Sequence, residues 1–132
     1  MAMTRTRVPL HDALDERAAL IPAACLFRAM ADPSRLVILQ HLTMGEHRVV
    51  DLVSHLGLAQ STVSKHLTCL RECGLVDSRP VGRSSVFALT ERDLVLRVLG
   101  VVDELLTATG EAASLCSNAG DGRPASRRRA ES

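Results

Sequence analysis

Gln60-Ser61-Thr62-Val63-Ser64-Lys65-His66-Leu67-Thr68-Cys69-Leu70-Arg71-Glu72-Cys73-Gly74 is the stretch on which the reading of this chain turns. On a helical wheel at about 100° per residue, Val63, Leu67 and Leu70 make one apolar stripe. Ser61, Ser64, Lys65 and Thr68 fall on the opposite side, with Gly74 closing the helix. Before it, Val49, Leu52 and Val53 give a short helix from about Arg48 to Leu56 an inward face, leave Asp51 and His55 outward, and end at Gly57. Two helices joined by a short turn containing Gly, the second with a polar start, form the helix-turn-helix pattern. Short hydroxyls and a lysine near a helix N-terminus suit phosphate and base edges in a major groove, although one such face is equally a solvated surface.

The residues that follow shift that balance. Leu75-Val76-Asp77-Ser78-Arg79 and Ser84-Ser85-Val86-Phe87-Ala88-Leu89 flank Val81-Gly82-Arg83, a two-stranded hairpin with a basic tip. Such a wing adds a second phosphate contact beside the helix. The DNA-contacting set read from this pattern is Gln60, Ser61, Thr62, Ser64, Lys65, His66, Thr68, Arg79 and Arg83.

Working outward, Asp32-Pro33-Ser34-Arg35 reads as an N-cap with proline at the first helical position. Leu36, Ile38, Leu39 and Leu42 give that helix its buried side, and Gly45-Glu46 breaks it. An earlier helix spaces Leu14, Leu20, Cys25, Leu26 and Met30, with Pro22 as the point of interruption or restart. Thr90 and Asp93 resemble a capping box opening a last helix with Leu94, Val95, Val98, Leu99, Val102, Leu105 and Leu106. That stripe is too apolar for a solvated helix, so it is expected to pack with the first helix across a twofold interface. The expected fold is mainly α with a small β-hairpin: a dimeric winged helix-turn-helix over residues 13–108, a flexible segment at 1–12 and a flexible tail at 109–132.

Composition narrows the function. With 132 residues, 46% apolar and 23% charged, the chain supports one small soluble domain. No apolar run approaches the roughly 20 residues of a membrane span, and the start lacks a secretory signal, so the expected location is cytoplasmic, without a membrane partner. The aromatics are Phe27 and Phe87, which argues against single-strand binding by base stacking. Net charge is +1, so DNA binding must come from local placement of charge. No C-x-x-C motif or nucleophile turn is present, and an enzyme is not expected.

Cys69 and Cys73 stand four apart, which places their β-carbons roughly 5–6 Å apart on one helix face. They either chelate one ion or pack as small apolar side chains. Cys116 lies in the polar stretch Ala113-Ser114-Leu115-Cys116-Ser117-Asn118, where no core requires it, and this favours ligation. Three thiolates select soft ions over magnesium or calcium. His66 and Cys25 are candidates for a fourth ligand; His66 reads equally as helix surface or DNA contact, Cys25 as helix packing. His11, His41, His47 and His55 show no i, i+4 or paired-acid spacing and read as surface or local structural residues.

Taken together, Phe27-Arg28-Ala29-Met30-Ala31-Asp32-Pro33-Ser34-Arg35, Asp51-Leu52, Gln60 to Leu67, Leu70-Arg71, Gly74-Leu75-Val76 and Gly82-Arg83 resemble the ArsR/SmtB-type metal-responsive winged-helix repressors. The segment Leu67 to Leu75 with a tail cysteine is similar to the cadmium/lead-sensing, CmtR-type branch. The resemblance implies a homodimeric repressor of double-stranded operator DNA, with Cys69, Cys73 and Cys116 as ligands of cadmium or lead, the tail thiolate coming from the other protomer. Zinc or arsenite are the further inducers. The Cys-x-Cys-Asp site of another branch is replaced here by Arg48-Val49-Val50-Asp51, and Asp93, Asp103 and Glu104 on the last helix lack the histidines of an interfacial site. Two alternatives stay open: an arsenite- or antimonite-responsive repressor, and a thiol-based redox-sensing regulator in which Cys116 resolves an oxidised helix cysteine.

Overall fold

A computed structural model describes residues 10–110. The elements in chain order are α1 (Leu10–Met30), α2 (Pro33–Leu42), β1 (His47–Arg48), α3 (Val49–Leu56), α4 (Gln60–Glu72), β2 (Val76–Val81), β3 (Ser84–Leu89) and α5 (Arg92–Ala108). The five helices and the hairpin are those the sequence predicts, and β1 is an addition to them. The three strands pair antiparallel in the order β1-β3-β2, with His47 opposite Phe87 and Arg79 opposite Val86. Pro80 lies in β2, an edge strand, where its missing N–H costs no central ladder bond.

The core forms where α2, α3 and α4 meet the root of the hairpin. Ile38, Leu39 and Leu42 of α2, Leu52 of α3, and Val63, Leu67 and Leu70 of α4 are almost completely buried, together with Val76 and Phe87. Burial of each such side chain is worth about 1.5–3 kcal/mol, so the apolar stripe of α4 alone anchors that helix firmly. Gly57 ends α3 at φ 70° and Gly74 follows α4 at φ 79°. Both are left-handed positions that a Cβ would strain, and they set the two turns that hold α4 at its angle.

Asp32 caps α2 as expected, its side chain accepting from Arg35 N at 3.0 Å. Arg35 then reaches back: Nε donates to Ala29 O at 2.6 Å and Nη2 to Arg28 O at 3.1 Å. These are carbonyls of the last turn of α1, a place favourable to a cation, and Arg28 O also accepts from Ala31 N at 3.2 Å. Its Nη1 donates to His66 Nδ1 at 3.2 Å, while His66 Nε2 lies 3.9 Å from Asp32 Oδ2. One guanidinium thus ties α1, α2 and α4 together.

Three local expectations are corrected. First, α1 runs unbroken through Pro22, the loss of one backbone bond being absorbed by a helix of 21 residues. Second, Thr90 and Asp93 do not form a capping box: α5 begins after Glu91 without a side-chain cap. The Thr90 hydroxyl instead donates to Gly74 O at 2.7 Å, pinning the end of β3 to the end of α4. Third, His41, His47 and His55 are not separate surface residues, because α2, β1 and α3 bring their rings together.

On α5, Val95 and Leu99 are buried while Leu94, Val98, Val101 and Leu105 form an outward apolar stripe. Leu14, Leu20, Ile21 and Phe27 are likewise exposed on α1. No helix among the described residues is long and apolar enough to cross a membrane.

Arg35→Ala is expected to lower unfolding free energy by about 2–4 kcal/mol, the scale of one or two charge-assisted hydrogen bonds. Arg35→Lys should restore less than half, because a point charge cannot span three acceptors. Urea denaturation followed by circular dichroism provides the measurement.

Candidate nucleic-acid interface and thiol cluster

The N-terminus of α4 is open. Ala59 at the N-cap supplies no side-chain acceptor, and the first intrahelical bonds run from Thr62 N and Val63 N to Ala59 O. The backbone N–H groups of Gln60 and Ser61 therefore sit at the positive end of the helix dipole, an arrangement that attracts phosphate. Gln60, Ser61, Thr62, Lys65 and Thr68 are exposed, and Ser64 is half-buried.

His66 is placed differently from the rest of that set. Its side chain is 17% exposed and both ring nitrogens face Arg35 and Asp32, so it braces α4 from within. Arg83 is exposed beside Gly82 at the hairpin tip, as the wing reading requires. Arg79 instead forms an ion pair with Glu46. A cleft of about 270 Å³ opens between the start of α4 and the hairpin, lined by Arg48, Gln60, Arg83, Ser84 and Ser85 among others. Arg48 was not among the residues singled out from sequence; a lone arginine at a helix start carries no linear signal, and only the fold sets it beside Arg83.

On another side of α4, Cys69 and Cys73 are half-buried at the edge of the core. Cys25, read from sequence as helix packing, lies against them: Cys73 Sγ donates to Cys25 O at 3.4 Å. Hydrogen bonding with the Cys25 side chain, then burial, then the nearby Cys25, Cys69 and Glu72 push the Cys73 thiol up to about 11. It is therefore protonated at neutral pH. Cys116 lies outside the described residues. Burial first, then the neighbouring His55 and His47, also lower the pKa of His41 below the usual imidazole value.

Residues 32–78 match the family model described as "Bacterial regulatory protein, arsR family". The transcriptional regulator CmtR of Mycobacterium tuberculosis is 45% identical over 85 residues, which cover 64% of this chain and 71% of that protein. The chain belongs to the arsR family. A probable mercury resistance operon repressor of Streptomyces lividans is 41% identical over 76 residues, covering 55% of this chain and 61% of the repressor. Among solved structures, the homodimeric winged helix-turn-helix DNA-binding domain of Mb0332 from Mycobacterium bovis superposes with a TM-score of 0.64. It is 29% identical and the match covers 74% of this chain and 94% of that domain. As an arsR-family member the chain is a transcriptional regulator of winged helix-turn-helix fold and not an enzyme.

Lys65→Ala and Arg83→Ala are each expected to weaken duplex binding and to flatten the dependence of log K on log salt by about one contact. Arg79→Ala should change the slope less, because Arg79 must first leave Glu46. Fluorescence anisotropy across a salt series reads all three.

Proposed function

We propose that this chain is a homodimeric repressor that holds double-stranded operator DNA through α4 and the wing of each protomer. It releases the operator when a soft thiophilic ion, cadmium or lead first, occupies Cys69, Cys73 and Cys116. One observation carries this reading: a single 13-residue helix presents the open polar face and Cys69, with Cys73 at its C-cap. A force applied at the thiols is thereby applied to the recognition helix.

The donor chemistry fits. Two half-buried thiols one turn apart, with a third sulfur, favour soft ions and exclude magnesium or calcium. The bound ion would supply a cross-link between α4 and the segment that carries the third sulfur. Cys73 gives up its proton to ligate, so affinity rises with pH across the neutral range. Two sources of the third sulfur remain: the tail residue Cys116, which the resemblance favours, and Cys25, which the contact with Cys73 favours. Lys65, Ser61, Ser64 and Thr68 position the duplex, and Arg83 holds its backbone. Homodimerisation is supported by the apolar stripe of Leu94, Val98, Val101 and Leu105 on α5, larger than a solvated helix carries. A shared site, with Cys116 given by the partner protomer, would let occupancy favour one dimer geometry over another.

The test is a titration of the reduced, DNA-bound protein with cadmium, lead, zinc and arsenite. Cadmium or lead should release DNA at one ion per protomer, with sulfur-to-metal charge-transfer absorption. Cys69→Ser or Cys73→Ser should abolish both effects, and Cys116→Ser should do so while Cys25→Ser does not. Loss with Cys25→Ser alone moves the third ligand to α1. Release by arsenite only, or by oxidant without metal, replaces the inducer with a pnictogen or a disulfide.

Val101→Glu/Leu105→Glu should give monomers by sedimentation velocity. Its operator affinity should fall about 10²-fold or more, since the second half-site no longer binds as an intramolecular event.

A further inference from the structure

The end of α2, the two-residue strand β1 and the end of α3 converge on one place, and each brings a histidine to it. His41, His47 and His55 each offer a ring nitrogen, and these atoms all lie within 4.8 Å of one another. The His41 and His55 rings stack at 4.2 Å between centroids with an interplanar angle of 19°. His47 stands edge-on to both, at 6.0 and 6.2 Å. His41 and His47 are half-buried and His55 is exposed, so the cluster has a packed floor and one side open to water.

His47 carries a second indication. Its Nδ1 lies 2.9 Å from Gly45 O. A carbonyl can only accept, so Nδ1 carries the hydrogen and Nε2 presents its lone pair. That is the orientation a backbone carbonyl imposes on a ligating histidine. The nearby acids are otherwise engaged: Glu46 pairs with Arg79, and Asp51 accepts from Arg48 N at 3.2 Å.

We propose that His41, His47 and His55 form a second metal site, separate from the thiols, that binds a divalent transition-metal ion of zinc character with water completing its coordination. Three neutral nitrogens without a carboxylate reject magnesium and calcium, which require oxygen donors. Without a thiolate the site also lacks the preference of the cysteine set for cadmium or lead. Zinc–nitrogen bonds of about 2.0–2.1 Å in a tetrahedral field set ligand nitrogens roughly 3.3 Å apart. Closing from 4.8 Å to that spacing asks up to about 1.5 Å of approach between ring nitrogens, shared as side-chain movement among the three rings. An ion held there would clamp α3, which packs on α4, to α2 and to β1, which pairs with β3 of the wing. The site does not depend on the inducer reading, because none of its ligands is a cysteine.

The test is zinc titration of the reduced full-length protein, followed by long-range proton–nitrogen correlation of the imidazoles. One equivalent should shift ring nitrogens of His41, His47 and His55, including Nε2 of His47, and leave His11 and His66 in place. His47→Gln, at a half-buried position, and His55→Gln, at an exposed one, should each weaken that zinc binding at least tenfold while leaving cadmium charge-transfer absorption intact. Cobalt should give a ligand-field spectrum of nitrogen and oxygen donors that both substitutions remove. Fewer than three responding histidines, or zinc-induced imidazole shifts that survive both substitutions, would overturn the proposal. Loss of the cadmium site alone in the cysteine variants would leave it standing.

Discussion

The guanidinium of Arg35 sets the geometry on which the placement of α4 depends. It satisfies two carbonyls at the end of α1 and donates to His66 of α4, from the first turn of the helix whose cap it also completes. Apolar burial alone would tolerate some sliding of α4, since hydrophobic contact is not directional. Hydrogen bonds from a planar fork are directional, and they hold α1 and α4 at one spacing. Only arginine offers five donors in fixed directions, and Asp32 with Pro33 places it by starting α2 where it does.

The second constraint is the crowding of α4. Its circumference is divided among an apolar stripe of Val63, Leu67 and Leu70, an open polar side and a thiol edge. No position is neutral: a larger residue at Cys69 or Cys73 presses on the core, and a charge there would have to be buried. Half-buried cysteine meets both demands, small and apolar when protonated, a strong soft donor once its proton is lost. The same burial and the same Cys25 contact that push the Cys73 thiol upward favour its packed, protonated form.

What could be read from the sequence follows from how local each signal is. Asp32-Pro33, the stripe of α4, Gly57, Gly74 and the hairpin around Gly82 are written within a few consecutive residues, and they appear as read. β1 has two residues and no period, and it exists because β3 offers an edge to His47 and Arg48. The clustering of His41, His47 and His55 left no trace in spacing, since the three lie on three elements and meet only after the helix-turn-helix folds. Arg48 beside Arg83 and Cys25 beside Cys73 are products of tertiary packing in the same way. Thr90 misled because a hydroxyl three residues before an acid is a capping pattern locally, while the fold offered Gly74 O instead.

These pieces meet in the last two turns of α1. Cys25 touches Cys73, Arg28 and Ala29 give their carbonyls to Arg35, and Phe27 faces outward with 67% of its surface exposed. Five residues thus carry a thiol contact, the brace to α4 and part of the apolar face available to a second protomer. On the proposed reading, a sulfur-bound ion that displaced the Cys73 hydrogen bond would act on this segment. Moving an equilibrium from 1:99 to 99:1 takes about 5.5 kcal/mol of differential binding, a demand within reach of thiolate ligation and far beyond a single surface contact. Because the brace resists displacement of α1 relative to α4, such an energy would be passed to the outer face of α1 and not dissipated between the helices. The directional hydrogen bonds that fix the resting fold are thereby the same bonds through which a change at the thiols would reach α1 and α4 together.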